Sequence, residues 1–238
     1  MRKGDVFLRE KAKTIAVAGC LLALIIICYH AGEHLKRSAL NDRETSGAVS
    51  GSGTGTLIVL DAGHGGIDVG KMGVNGAEEK EINLKISIKI KKLLTKEGIS
   101  VLMTRSSDDR LGDTQKDDLK ERVRIMNKER PTLAVSVHQN SYKGAEVRGP
   151  QVFYYTDSDA GRSAARILQA ELNQIEPAYS REEKGNDSYY ILKNAKVPAV
   201  IIECGFLSNP EEAEMLVTDE YQDMVAGAVA EGIKKYID

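Results

Sequence analysis

The sequence is poor in cysteine, in histidine and in net charge, and each shortage closes off a class of function. Of the three cysteines, Cys20 and Cys28 lie in an apolar N-terminal run. Only Cys204 remains for the rest of the chain, so no disulfide can form within that part and a disulfide scaffold is excluded. A net charge of −2 gives no electrostatic reason to expect a nucleic-acid partner. There is no internal repeat and no second low-complexity block. With 42% hydrophobic and 29% charged residues, the composition is that of a chain able to bury a core.

Long apolar runs are equally scarce. The single strong one, "TIAVAGCLLALIIICY" at 14–29, has no charge and no proline, and follows Arg2, Lys3, Arg9, Lys11 and Lys13. Residues 1–28 hold five basic and two acidic side chains, which leaves 28 basic and 33 acidic ones, a net −5, for the remainder. A basic flank before an apolar run is a membrane pattern. Residues 1–29 are therefore expected to form an apolar helix, as signal anchor or signal peptide, with the bulk of the chain exported to the outer face of the membrane or the cell wall. Residues 30–56, ending in the Gly/Ser/Thr-rich "ETSGAVSGSGTGT", read as a flexible linker. A single domain is expected over 57–238.

In that domain short apolar runs alternate with helical patterns. "TLIVLD" (56–61), "ISVLMT" (99–104), "TLAVSVH" (132–138), "QVFYY" (151–155) and "PAVIIE" (198–203) read as strands. Leu119, Val123 and Met126 space as one helix stripe, Ala164, Leu168, Leu172 and Ile175 as another, and Val225, Val229, Ile233 and Tyr236 as a third. Asn209-Pro210-Glu211-Glu212 is a helix start. "EINLKISIKIKKLL" alternates like a strand but also carries a helical stripe, and its length, its lysines and Gly98 favour a helix. The pattern predicts an α/β domain, a twisted, mostly parallel sheet flanked by helices, with its chemistry at the carboxyl ends of the strands.

Three ionisable residues stand at those ends. His64 follows the first strand inside "AGHGG", His138 closes the third, and Glu203 closes the last. The other two of the four histidines, His30 and His34, lie beside the apolar run. Buried imidazole or carboxylate is costly unless paired or ligated. Two histidines and a carboxylate are a common catalytic zinc set. Spacing leaves the carboxylate open among Asp61, Asp68, Glu78, Glu79, Glu81 and Glu203. The glycines of "AGHGG" allow a close backbone approach to a ligand. They lack the lysine and hydroxyl of a phosphate loop.

The fragments "DAGHGG-D-G", "NGAEEKEINL", "MTR", "ERVRIMN", "SVHQNS" and "ECGFLSNP" occur in the order seen in zinc-dependent N-acetylmuramoyl-L-alanine amidases, the AmiC-like class of the Amidase_3 family. The chain resembles that family over residues 57–237. The resemblance implies that His64, Glu79 and His138 bind Zn2+ and that Glu203 is catalytic. It implies cleavage of the amide between N-acetylmuramic acid and L-alanine of peptidoglycan. An activating protein is a further expected partner, since some such amidases need one. Arg105, Arg122 and Asn127 match positions read as structural. "HQNS" departs from the commoner "HANS", and Cys204 stands where threonine is frequent. Cys204 is expected to be a packing residue. Tyr189, Tyr190 and Leu192 are expected either to shape the cleft or to sit in the core. The short, anchored layout resembles germination-specific or cortex-maturing amidases of spore formers, which make muramic-δ-lactam precursors. A vegetative wall amidase, a zinc carboxypeptidase and a binding module without chemistry are the alternatives.

Overall fold

The computed structural model describes residues 55–238. The basic flank, the apolar run and most of the linker expected from the sequence lie outside the described residues. Among the described residues no helix is long and apolar enough to cross a membrane.

Six strands form one sheet: β1 (Leu57–Ala62), β2 (Ser100–Met103), β3 (Leu133–Asn140), β4 (Gln151–Tyr154), β5 (Lys184–Gly185) and β6 (Ala199–Phe206). Their spatial order is β2-β1-β3-β6-β4-β5. β2, β1, β3 and β6 are mutually parallel. β4 runs antiparallel to β6, and β5 follows β4. The sheet is therefore mixed, parallel where the histidines are and reversed at one side. The connection explains the reversal. No helix lies between β3 and β4, and a parallel return needs a crossover of a dozen or more residues.

The helices are α1 (Glu79–Lys96), α2 (Gln115–Glu129), α3 (Asp159–Leu172), α4 (Tyr190–Asn194), α5 (Pro210–Leu216) and α6 (Asp219–Ile237). α1, α3 and α6 cover one sheet face with Ile82, Ile86, Leu168 and Val229. α2 and α4 cover the other with Val123, Met126, Ile191 and Leu192. The ambiguous segment is α1. Ile82, Ile86, Ile90 and Leu94 are buried as a helical stripe, whereas Ile88, which a strand would bury with them, is 44% exposed. Its end is a Schellman turn, Ile99 N–H to the Leu94 carbonyl and Gly98 N–H to that of Thr95. The Asn209 side chain caps α5 by accepting the Glu212 N–H, with Pro210 in the first turn.

α3 and α6 meet closely at Gly232, where an added Cβ would lie 2.8 Å from Leu168 Cδ2 and 3.2 Å from Leu168 Cα. Backbone on one side leaves little room to relax. Gly232→Val should cost about 1–3 kcal/mol by overpacking, read as a lower urea midpoint with unchanged slope.

Candidate metal centre

The chain ends of β1 and β3 and the first turn of α1 converge. His64 sits just past β1, His138 near the end of β3, and Glu79 is the first residue of α1. One donor atom from each falls within 4.8 Å of the others. His64 Nε2 is 3.3 Å from Glu79 Oε2, and His138 Nδ1 is 2.9 Å from Glu79 Oε1. The two imidazoles lie edge to face, 5.0 Å between centroids. Glu79 is 2% exposed and accepts the N–H groups of Lys71 (2.8 Å) and Gln139 (3.1 Å). Burial alone would raise its pKa, but both histidines outweigh that and hold the carboxyl far below its usual range.

The sequence left six carboxylates open, and the structure separates them. Asp61 is fully buried against Arg122. Asp68 lies 3.1 Å from His64 Nδ1, outside the three-residue group. Glu78 pairs with Lys80 at 3.4 Å, and Glu81 is exposed. Glu79 is the carboxylate facing both histidines. Asp68 takes the other face of His64, a pairing that fixes tautomer and ring orientation in metal-binding histidines. Burial opposes the charge on His64, but Glu79 and Asp68 prevail and push it up to about 9.

Glu203 stands opposite His138 in the β3–β6 register. It is 8% exposed, and its Oε2 is buried with no hydrogen-bond partner. Burial pushes its pKa up to about 7. Just beyond it β6 spends one residue more than β3, pairing Phe206 with Asn140. Such bulges re-aim side chains and recur beside active sites. Tyr189 lies close enough for the charges of Glu203 and Glu79 to add to its burial, which pushes it up to about 12. Tyr190 is exposed and Leu192 is core.

The glycine beside His64 has a simple cause. A Cβ at Gly63 would fall 2.3 Å from the His138 ring. The close approach expected there is to the partner histidine rather than to a ligand. Two arginines hold the loop from behind. Arg105 donates to the carbonyls of Ala62, Gly63 and Lys80. Arg122 donates to those of Ala62 and His64 and pairs with Asp61 and Asp118. Asn127 ties α2 to Asn194 and Lys196. All three are hydrogen-bonded within the fold. Cys204 is fully buried, and burial pushes its thiol well up. It packs against the side chain of Gln139, so the two departures from the family's commoner pattern are neighbours in space.

The arrangement suits a dication with two nitrogen and one oxygen donors, the composition of many catalytic zinc sites. Asn83, marked in the sequence only as a polar residue inside the apolar stripe of α1, bonds the Glu79 carboxylate directly.

Residues 58–235 match the family described as N-acetylmuramoyl-L-alanine amidase. The germination-specific N-acetylmuramoyl-L-alanine amidase of Bacillus subtilis is 34% identical over 191 residues, which cover 77% of this chain and 80% of that protein. The solved CwlD amidase of Clostridioides difficile, in complex with the GerS lipoprotein, superposes with a TM-score of 0.74 at 35% identity, covering 76% of this chain and 98% of that one. The amidase AmiC2 of Nostoc punctiforme superposes with a TM-score of 0.71 at 30% identity, covering 78% and 99%.

Proposed function

The chain belongs to the N-acetylmuramoyl-L-alanine amidase family, and from that premise we propose that it hydrolyses the bond between N-acetylmuramic acid and L-alanine of peptidoglycan with zinc held by His64, Glu79 and His138 and with Glu203 as the proton-transfer group. The observation that carries this reading is the meeting of three donor atoms within 4.8 Å beside a buried, unpartnered carboxylate. When bound, zinc would supply a water acidic enough to ionise near neutral pH and would polarise the amide carbonyl.

The chain's own residues do the rest. Glu203 accepts the proton of the attacking water and returns it to the departing alanine amine. In the metal-free chain burial lifts its pKa to about 7, and a bound dication would lower it, which favours the proton-accepting form. Asp68 orients His64. The Lys71 and Gln139 N–H groups hold the Glu79 carboxylate toward both imidazoles. Glu79 and Asp68 raise the His64 pKa, so a proton competes with metal for this imidazole. No covalent acyl intermediate is needed, and the buried Cys204 thiol is unsuited to forming one.

We assign residues 1–29 to an anchor or signal at the outer face of the membrane, 30–56 to a linker and 57–238 to the catalytic domain. Because the relatives include a germination-specific amidase and an amidase solved with a lipoprotein, we extend to this chain a spore-cortex substrate and a partner protein. The test is zinc content and the new N-terminus produced from purified peptidoglycan, with spore cortex beside vegetative wall. One zinc per chain and newly exposed N-terminal alanine are expected. No zinc, or zinc retained in Glu79→Ala, rejects the ligand set. Release of a C-terminal amino acid points to the carboxypeptidase alternative. Equal turnover of both walls rejects the cortex assignment.

A further inference from the structure

Asn83 lies one helical turn beyond Glu79 on α1, is fully buried, and interrupts the apolar stripe between Ile82 and Ile86. A buried carboxamide there costs stability unless its groups are bonded. Its Nδ2 donates to Glu79 Oε1 at 3.2 Å and to the Gly63 carbonyl at 3.2 Å. Its Oδ1 accepts the Gln139 Nε2–H at 3.0 Å. Gly63 precedes His64, and Gln139 follows His138. One side chain therefore bonds to all three segments that carry the candidate ligands.

We propose that Asn83 is a positioning residue that sets the mutual geometry of His64, Glu79 and His138 for metal, an inference that rests on the ligand assignment above. Without Asn83, the Glu79 Oε1 keeps only the Gln139 N–H among its non-histidine donors. The Gln139 side chain, whose Oε1 is already buried without a partner, loses its bond to Asn83 and keeps only its contact with Cys204. Gly63 keeps its bond from Arg105, which also holds the Lys80 carbonyl of α1, but loses its direct link to the side-chain bonds of Glu79 and Gln139. The carboxylate gains freedom to rotate, and the two histidine segments lose their side-chain strut while keeping the Gly63 N–H to Val137 carbonyl bond. Loss of such orienting partners typically weakens metal binding about 10–100-fold.

The experiment uses the full chain stripped of metal. Wild type, Asn83→Ala, Asn83→Leu and Glu79→Ala are compared by zinc competition against a chromophoric chelator, by the visible spectrum of the cobalt-substituted protein, and by melting of the metal-free form. Asn83→Leu keeps the branched shape of the side chain and the helix while removing its polar groups. The expected result is zinc affinity lower by about 10–100-fold in both Asn83 variants, with an altered cobalt spectrum and a cooperative metal-free melt. Wild-type affinity and spectrum in a variant with only a lowered melting temperature would overturn the proposal, because a purely structural residue gives that pattern. If neither Asn83 variant folds, Gln139→Ala cuts one arm of the same hub, and unchanged zinc affinity in it overturns the proposal as well. Absence of zinc from wild type, or full zinc in Glu79→Ala, removes the ligand assignment itself and is thereby distinguishable.

Discussion

Glu203→Gln should lower kcat on peptidoglycan by about 10²–10⁴-fold, the range for loss of a general acid–base, while zinc content stays at the wild-type level. The substitution keeps the shape of the side chain and removes only its ability to take a proton. The same change should raise, not lower, the melting temperature of the metal-free protein. Burial lifts the Glu203 pKa to about 7 from its ordinary 4.5, with the charge of Glu79 adding and the histidines opposing. A carboxyl whose folded pKa lies above its unfolded one destabilises the fold at neutral and higher pH, where it must ionise in place. A neutral isostere relieves that. Wild-type activity needs the ionised form, so kcat/KM should fall on the acid side, and a bound dication shifts that limb below pH 7. An inactive variant that has also lost zinc, or one that melts below wild type, would mean that Glu203 holds the site together rather than moving protons.

Arg122→Met should cost about 3–5 kcal/mol, the scale for breaking a buried ion pair from one side. That is a large part of a typical domain's stability. Arg122 is 1% exposed, 2.7 Å from Asp61 and 2.6 Å from Asp118, and both carboxylates are buried. Urea unfolding measures the loss. The pH dependence gives a second signature. Burial alone would raise the Asp61 pKa, but Arg122, Ser136 and Thr104 hold it below its ordinary 3.8. A depressed carboxyl contributes stability above its unfolded pKa and loses it as pH falls through the folded value. The contribution of Asp61 should therefore be lost only below about pH 4. In Arg122→Met the cation is gone and protonation relieves a buried charge, so lowering the pH from 7 toward 5 should narrow the gap to wild type. A gap that is constant with pH would assign the effect to packing alone.

The strands carrying the histidines were legible because they are unbroken apolar runs ending in a polar residue. "TLAVSVH" and "PAVIIE" could be read as strands that finish at chemistry, and β3 and β6 include those runs nearly whole. β5 was not legible: Lys184–Gly185 has no apolar pattern and exists only because Phe153 and Tyr154 offer it a partner. The reversal of β4 was hidden too, since strand direction depends on the path of the connecting chain. At the candidate centre, residue type and strand ends pointed to His64, His138 and Glu203, but choosing Glu79 over its neighbour Glu78 needed the resemblance. Periodicity could not assign Glu79, because it is the first residue of its helix and acts through the loop that folds back on it at Lys71. The roles of Asp68 and Asn83 depend on which atoms face which, and a linear pattern does not carry that.

The short margins of the sheet bear on how the molecule survives crowding. At one side the ladder ends in β5, two residues long, one of them the exposed Lys184; at the other it ends in β2, four residues long. An open strand edge invites a second chain to continue the pairing, and brevity with a charged side chain is how natural sheets discourage it. The described domain meets both conditions at its β5 margin. Its resistance to edge-to-edge clumping is thus written into where its hydrogen-bond ladder stops.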